Sequence, residues 1–207
     1  MRRRPLVSVI TPAHNAAAAI ERCHESVVAQ SFTDWEHIII DDASVDGTAE
    51  IVARLAAEGN GQIKTLRLQR NSGAGRARNL GIEAAAGRFV AFLDADDFWL
   101  PEKLASQVAF MEQNRIRFSY GAYYIANGAA AEERKLFQPP DRLSYRQLLE
   151  GCPIGCLTAM YDSEALGKRF MPEVRRGQDW GLWLQLARIC EEIAAYPGAH
   201  AVYSQNP

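Results

Sequence analysis

The chain has 207 residues, enough for one elaborated domain and cramped for two. A hydrophobic fraction of 48%, a charged fraction of 23% and a formal net charge of -2 describe an ordinary globular protein with no overall field for nucleic acid. Four scattered cysteines without a CxxC pair exclude a disulfide scaffold and a zinc ribbon and predict a cytoplasmic location, and no apolar run reaches the roughly 18–20 residues of a membrane-spanning helix.

Arg2, Arg3 and Arg4 open the chain and offer a weak contact with anionic lipid at the inner face of the membrane. The apolar run behind them stops at Thr11-Pro12, so it reads as a strand and not as an export signal. Four short β-branched runs, Leu6–Thr11, Glu36–Asp41, Ile63–Leu68 and Phe89–Asp94, predict strands. Between them, Ile20, Cys23 and Val27, then Ile51, Val52 and Leu55, recur at helical spacing. Leu80, Ile82 and the alanines to Ala86 predict a third helix, with Gly87 as its cap. Pro101 then fits the first turn of a helix reaching Asn114, and Phe118–Ala126 reads as an aromatic-rich strand. Residues Asn127–Arg142, with Pro139-Pro140, read as a loop of the kind that forms lids. Ser144–Leu149, Leu157–Tyr161 and Trp180–Ile189 follow as helix, strand and helix. This alternation predicts an α/β fold with helices on the faces of a sheet.

The acids cluster where such a fold binds ligands. Asp41 and Asp42 end the second strand, and Asp94, Asp96 and Asp97 end the fourth, so all five converge on the crevice beyond the strand ends. They would repel one another unless a cation or hydrogen-bond donors lay between them. Mn2+ or Mg2+ suits Asp94, Asp96 and Asp97, because a hard ion takes carboxylate oxygens together with substrate phosphates. Helix capping is the bland role for any one of these acids. Asn71, Gly73, Gly75, Arg76, Arg78 and Asn79 combine glycines that admit a close ligand with cations that neutralise phosphate. An exposed basic helix face would give the same pattern.

Four blocks resemble a family 2 glycosyltransferase of the GT-A fold: VSVITPAHN (7–15), DWEHIIIDDASVDGT (34–48), RNSGAGRARNLGIEAAAGRFVAFLDADD (70–97) and RGQDWGLWLQLA (176–187). The resemblance implies a single domain over 1–207 with a mostly parallel, mixed central sheet flanked by helices. Its Rossmann-like half, 1–100, would bind the nucleotide, and 101–207 would bind the acceptor and carry the base. Pro12, Ala13, Asn15, Asp41 and Asp42 would form the nucleoside pocket, with Asp42 accepting from uracil. Gly75 and Arg78 would meet the diphosphate. Asp94 and Asp96 would contact ribose and metal, with Asp96 the foremost ligand and Asp97 beside it. Asp179 would be the general base of an inverting transfer from a nucleotide-diphosphate sugar, a UDP-sugar, to a saccharide or lipid-linked acceptor in surface polysaccharide synthesis. Where the family commonly has glutamate before this aspartate, the chain has Gln178. Locally, Asp179 also fits the N-cap of the helix that carries Trp180 and Trp183. Trp183 is expected to pack and Trp180 to stack on a sugar ring.

Two other functions fit parts of the pattern. A non-catalytic nucleotide-sugar-binding protein fits a chain that stops at Pro207, soon after the base helix. A sugar-nucleotide pyrophosphorylase shares a related sheet but expects a glycine-rich basic signature after the first strand, where this chain has TPAHNAAAA.

Overall fold

The computed structural model describes residues 4–59, 61–127, 134–190 and 192–205. Strand β1 (Val7–Ala13) lies between β2 (Trp35–Asp41) and β4 (Phe89–Phe92), with β3 (Ile63–Arg67) outside β2, and all four run parallel. Every residue of β1, β2 and β4 is buried, which is why these segments read as continuous apolar runs. Alternation divides their side chains between two layers, Val7 and Val9 on one face and Ile10 on the other. Helices α1 (Ile20–Val28), α2 (Thr48–Glu58) and α4 (Lys103–Asn114) cover the first face. Helices α3 (Ala74–Ala84) and α7 (Gln178–Ile189) cover the second, where Trp183 stacks on Phe118 and meets Phe92 edge-on.

Past β4 the sheet becomes mixed. Strand β9 (Met160–Asp162) is antiparallel to both β4 and β6 (Phe118–Asn127), while β10 (Ile193–Gln205) runs parallel to β6 along nine paired residues. Short antiparallel pairs complete it: β5 (Phe98–Trp99) and β8 (Arg142–Leu143) on β10, and β7 (Arg134–Phe137) on β6. After β1 the chain crosses to β2 on one side, whereas α3 returns it to β4 on the other. A crevice therefore opens beyond the carboxyl ends of β1 and β4. No described helix is long and apolar enough to cross a membrane.

Four sequence expectations need correction. Helix α3 begins at Ala74, six residues before Leu80, because its first turn faces cavities and shows no apolar period. Gly87 does not cap it. The helix ends at Ala84, and Gly87 instead lies against β1, where its amide donates to Ser8 Oγ and a Cβ would come within 2.6 Å of the Ser8 amide nitrogen. The expected loop 127–142 includes strand β7, whose exposed side chains conceal it; Tyr123 and Phe137 hold it to β6 with ring centroids 4.9 Å apart. Residues 128–133 of that loop lie outside the described residues. The expected strand at Leu157 starts only at Met160, after a 3-10 turn over Cys156–Thr158. Strand β10 had no clear sequence signal, since Pro197 and Gly198 interrupt it at a register shift.

Candidate active site

The crevice holds a cavity of about 610 Å³, lined among others by Pro12, Ala13, Asn15, Asp42, Arg78, Asp94 and Asp96. Pro12 and Ala13 reach it because β1 runs three residues past the last β4 pairing, Ile10 with Phe92. Asn15 then turns the chain in a left-handed conformation, φ 50°, that asparagine tolerates. Its side-chain oxygen accepts from the Val45 amide and its own amide donates to Ser44 Oγ, so the loops after β1 and β2 are tied together. His14 joins the same lining, with Nδ1 2.8 Å from the carbonyl of Asp42.

Asp42 is buried, and its two carboxylate oxygens accept from the amides of Ser72 at 2.8 Å and Gly73 at 2.7 Å. It thereby positions the turn that starts α3, where Gly73 takes φ 86°, a conformation natural to glycine. Asp41 lies outside the cavity lining; it accepts from the Ser44 amide and forms an ion pair with Arg67 at 3.1 Å. Gly75 also lies outside this lining, packed where a Cβ would come within 2.8 Å of Gln178 Cγ.

Arg78, almost enclosed, donates to Asp94 Oδ1 at 2.5 Å. Burial works against its charge, but the surrounding negative groups, Asp94 foremost, together outweigh it and its pKa is raised. Asp179 also stabilises the guanidinium, so it lies within electrostatic reach of the Arg78–Asp94 pair. Asp179 sits half-buried in the first turn of α7, and among the described residues its carboxylate has no hydrogen-bond partner. The N-cap position itself belongs to Gly177. The indole N–H of Trp180 donates to the carbonyl of Leu148 at 2.7 Å, and Trp183 is fully buried.

The three acids after β4 diverge. Asp96 faces the cavity, and burial followed by the neighbouring Asp94 charge raises its pKa. Asp97 faces inward at 1% exposure and accepts from the Ser204 amide at 2.8 Å; burial and then the Asp94 charge push it up to about 8. Among the described residues no three acidic, histidine or cysteine side chains are arranged around a metal position. Asp96 and Asp94 both line the cavity. One or two carboxylates completed by substrate phosphates are what Mg2+ needs, so the residues fit the ion as a shared site.

Sequence reasoning overlooked Arg22. It reaches from α1 into the cavity, donates to the carbonyl of Asp96 at 2.6 Å and to Ser204 Oγ at 3.1 Å, and lies over the Phe98 ring. Its only signal was its place on the helix that follows the first strand.

The glycosyl transferase family 2 model matches residues 8–170. TuaG of Bacillus subtilis (strain 168), a glycosyltransferase named for teichuronic acid biosynthesis, is 42% identical over 185 residues, covering 89% of this chain and 73% of its own. WfgD of Escherichia coli, named a UDP-Glc:alpha-D-GlcNAc-diphosphoundecaprenol beta-1,3-glucosyltransferase, is 38% identical over 183 residues, covering 88% of this chain and 70% of its own. The fold matches the crystal structure of S. aureus TarS 1-349 in complex with UDP-GlcNAc with a TM-score of 0.78 and 22% identity, over 97% of this chain and 59% of that one. The chain thus spans about three fifths of the solved TarS chain and about seven tenths of TuaG and WfgD. With matches over most of its length and the sheet and crevice just described, the chain belongs to glycosyl transferase family 2.

Proposed function

We propose that the protein is an inverting, metal-dependent glycosyltransferase that moves a sugar from a UDP-sugar to a hydroxyl of a lipid-linked saccharide, at the inner face of the membrane, in surface polysaccharide synthesis. The observation that carries this reading is the position of Arg78, bonded to Asp94 in the nucleotide cavity and within reach of the unpartnered carboxylate of Asp179. One cation thereby joins the place for a leaving diphosphate to the place for a base.

In this reading Pro12, Ala13, Asn15 and Asp42 hold the nucleoside, and Arg78 and Arg22 face the diphosphate. Asp41 and Gly75 act one step back, through the 41–44 turn and the contact of α3 with α7. Asp96 and Asp94 would hold Mn2+ or Mg2+, which when bound neutralises charge on the leaving diphosphate. Asp97 supports them by fixing β10 to the end of β4. Asp179 takes the proton of the acceptor hydroxyl as its oxygen bonds to the anomeric carbon. The bond from that carbon to the donor phosphate oxygen breaks on the opposite face, and its electron pair leaves with UDP. Residues 1–100 serve the donor and 101–207 the acceptor. The names of WfgD and TuaG support the acceptor class, and the TarS complex supports the donor class.

The test is UDP release from a panel of UDP-sugars with Mn2+ and a diphosphate-linked GlcNAc acceptor. Release that depends on acceptor, and anomeric inversion in the product by NMR, are expected. Nucleotide binding without turnover would favour a non-catalytic binding protein.

A further inference from the structure

A larger cavity, about 1220 Å³, lies on the other side of the first turn of α3 from the nucleotide cavity. Residues 68–73 and α3 form one wall, and the segment 172–178 forms the other. Gln178 lines the cavity, one residue before Asp179 in the first turn of α7, and Asp179 acts electrostatically on Arg78 of the nucleotide cavity.

The charges in this groove are unbalanced. Arg70, Arg76 and Arg175 line it, against a single acid, Glu173, which lies 3.7 Å from Arg76. Among the described residues Arg70 and Arg175 have no ion-pair partner. Guanidinium groups gathered in a groove match the oxygens of phosphate in pairs, more so than isolated surface lysines would. The rim is apolar: Val174 is 49% exposed, and an adjoining hollow that shares Arg76 and Pro172 carries Phe170, 43% exposed. A ligand with an anionic head and a hydrocarbon tail complements both features, whereas a free anion would use only the first.

We infer that this groove binds the diphosphate of a polyprenyl-diphosphate-linked acceptor, placing its sugar past Gln178 towards Asp179 and leading its lipid out over Val174 and Phe170. The inference rests on the reading of the protein as a transferase to a lipid-linked saccharide.

Three probes test it by calorimetric titration of the whole chain: UDP, inorganic pyrophosphate, and GlcNAc diphosphate carrying a farnesyl chain. The double variant Arg70→Gln/Arg175→Gln is expected to bind the farnesyl probe at least tenfold more weakly, with UDP affinity within twofold. Glu173→Gln is expected to bind the farnesyl probe more tightly, a gain that a misfolded variant could not give. Pyrophosphate is expected to bind more weakly than the farnesyl probe. The inference is overturned by unchanged farnesyl-probe affinity in the double variant, by a matching loss of UDP affinity, or by pyrophosphate binding as tightly as the lipid-linked probe. It is also overturned, with the transferase reading intact, when the unsubstituted chain releases UDP onto a water-soluble saccharide yet ignores the farnesyl probe. Absence of UDP release with every sugar acceptor would remove both.

Discussion

Asp94 Oδ1 lies 2.5 Å from a terminal nitrogen of Arg78, and this bond ties the segment after β4 to α3 in the cavity that both residues line. The side chain of Arg78 is only 8% exposed, and the Asp94 carboxylate is the foremost group offsetting the burial of its charge. An enclosed acid that loses its cation keeps the desolvation cost and forfeits the attraction.

Arg78→Gln is therefore expected to weaken UDP binding by about tenfold, the equivalent of ~1.4 kcal/mol. Arg78→Lys should recover only part of the loss, because an ammonium cannot present the planar fork. Titration calorimetry with UDP checks this, and equal affinity in all three proteins would remove Arg78 from the site.

The pair His24 and His37 predicts how stability follows pH. Their Nδ1 atoms lie 3.0 Å apart, and Nε2 of His37 lies 2.8 Å from Thr11 Oγ1 under β1. Burial lowers both pKa values, and the charge of His24 lowers His37 further. Below the ordinary histidine value of 6.5 the unfolded chain takes up protons that the folded chain refuses. Stability is thus fully present above pH 6.5 and is lost as the pH falls towards the folded values. The melting temperature should drop between pH 7.5 and 5.5, with a shallower slope in His37→Gln. A flat profile would show that the pair accepts protons when folded.

Gly87 tests how closely α3's exit packs on the sheet. A Cβ there would lie 2.6 Å from the Ser8 amide nitrogen and 2.7 Å from the Val7 carbonyl carbon, both backbone atoms that cannot swing aside. Gly87→Ala should cost about 2–3 kcal/mol in chemical unfolding, as expected of overpacking. Gly75→Ala meets only the flexible Gln178 side chain and should cost less, about 1 kcal/mol or below. Equal costs would mean that the β1 backbone yields.

The four parallel strands and the crevice beyond them were legible because physics wrote them locally. Strands buried on both faces become apolar runs, and a crevice beyond parallel strand ends draws its residues from just after each run, as Asp42, Asp94 and Asp96 illustrate. What stayed hidden depends on partners distant in sequence. Asp97 looks like its neighbours until Ser204, 107 residues away, turns it inward. The sequence around Gly75 gives no sign that Gln178 packs against it, nor that around Trp180 that its indole N–H reaches Leu148. Strand β7, exposed and charged, has no alternation to reveal it.

The proposed role of Asp179 as base is the claim on which the account turns. Asp179→Asn keeps the shape of the first turn of α7 and removes only the proton acceptor, so donor binding should persist while turnover falls by roughly 10²–10⁴-fold. The direct measurement is the rate of acceptor-dependent UDP release at saturating UDP-sugar and Mn2+ in this variant and the unsubstituted chain, with UDP affinity measured on both. A collapse in rate with UDP affinity unchanged is expected. Release at the unsubstituted rate in Asp179→Asn would contradict it.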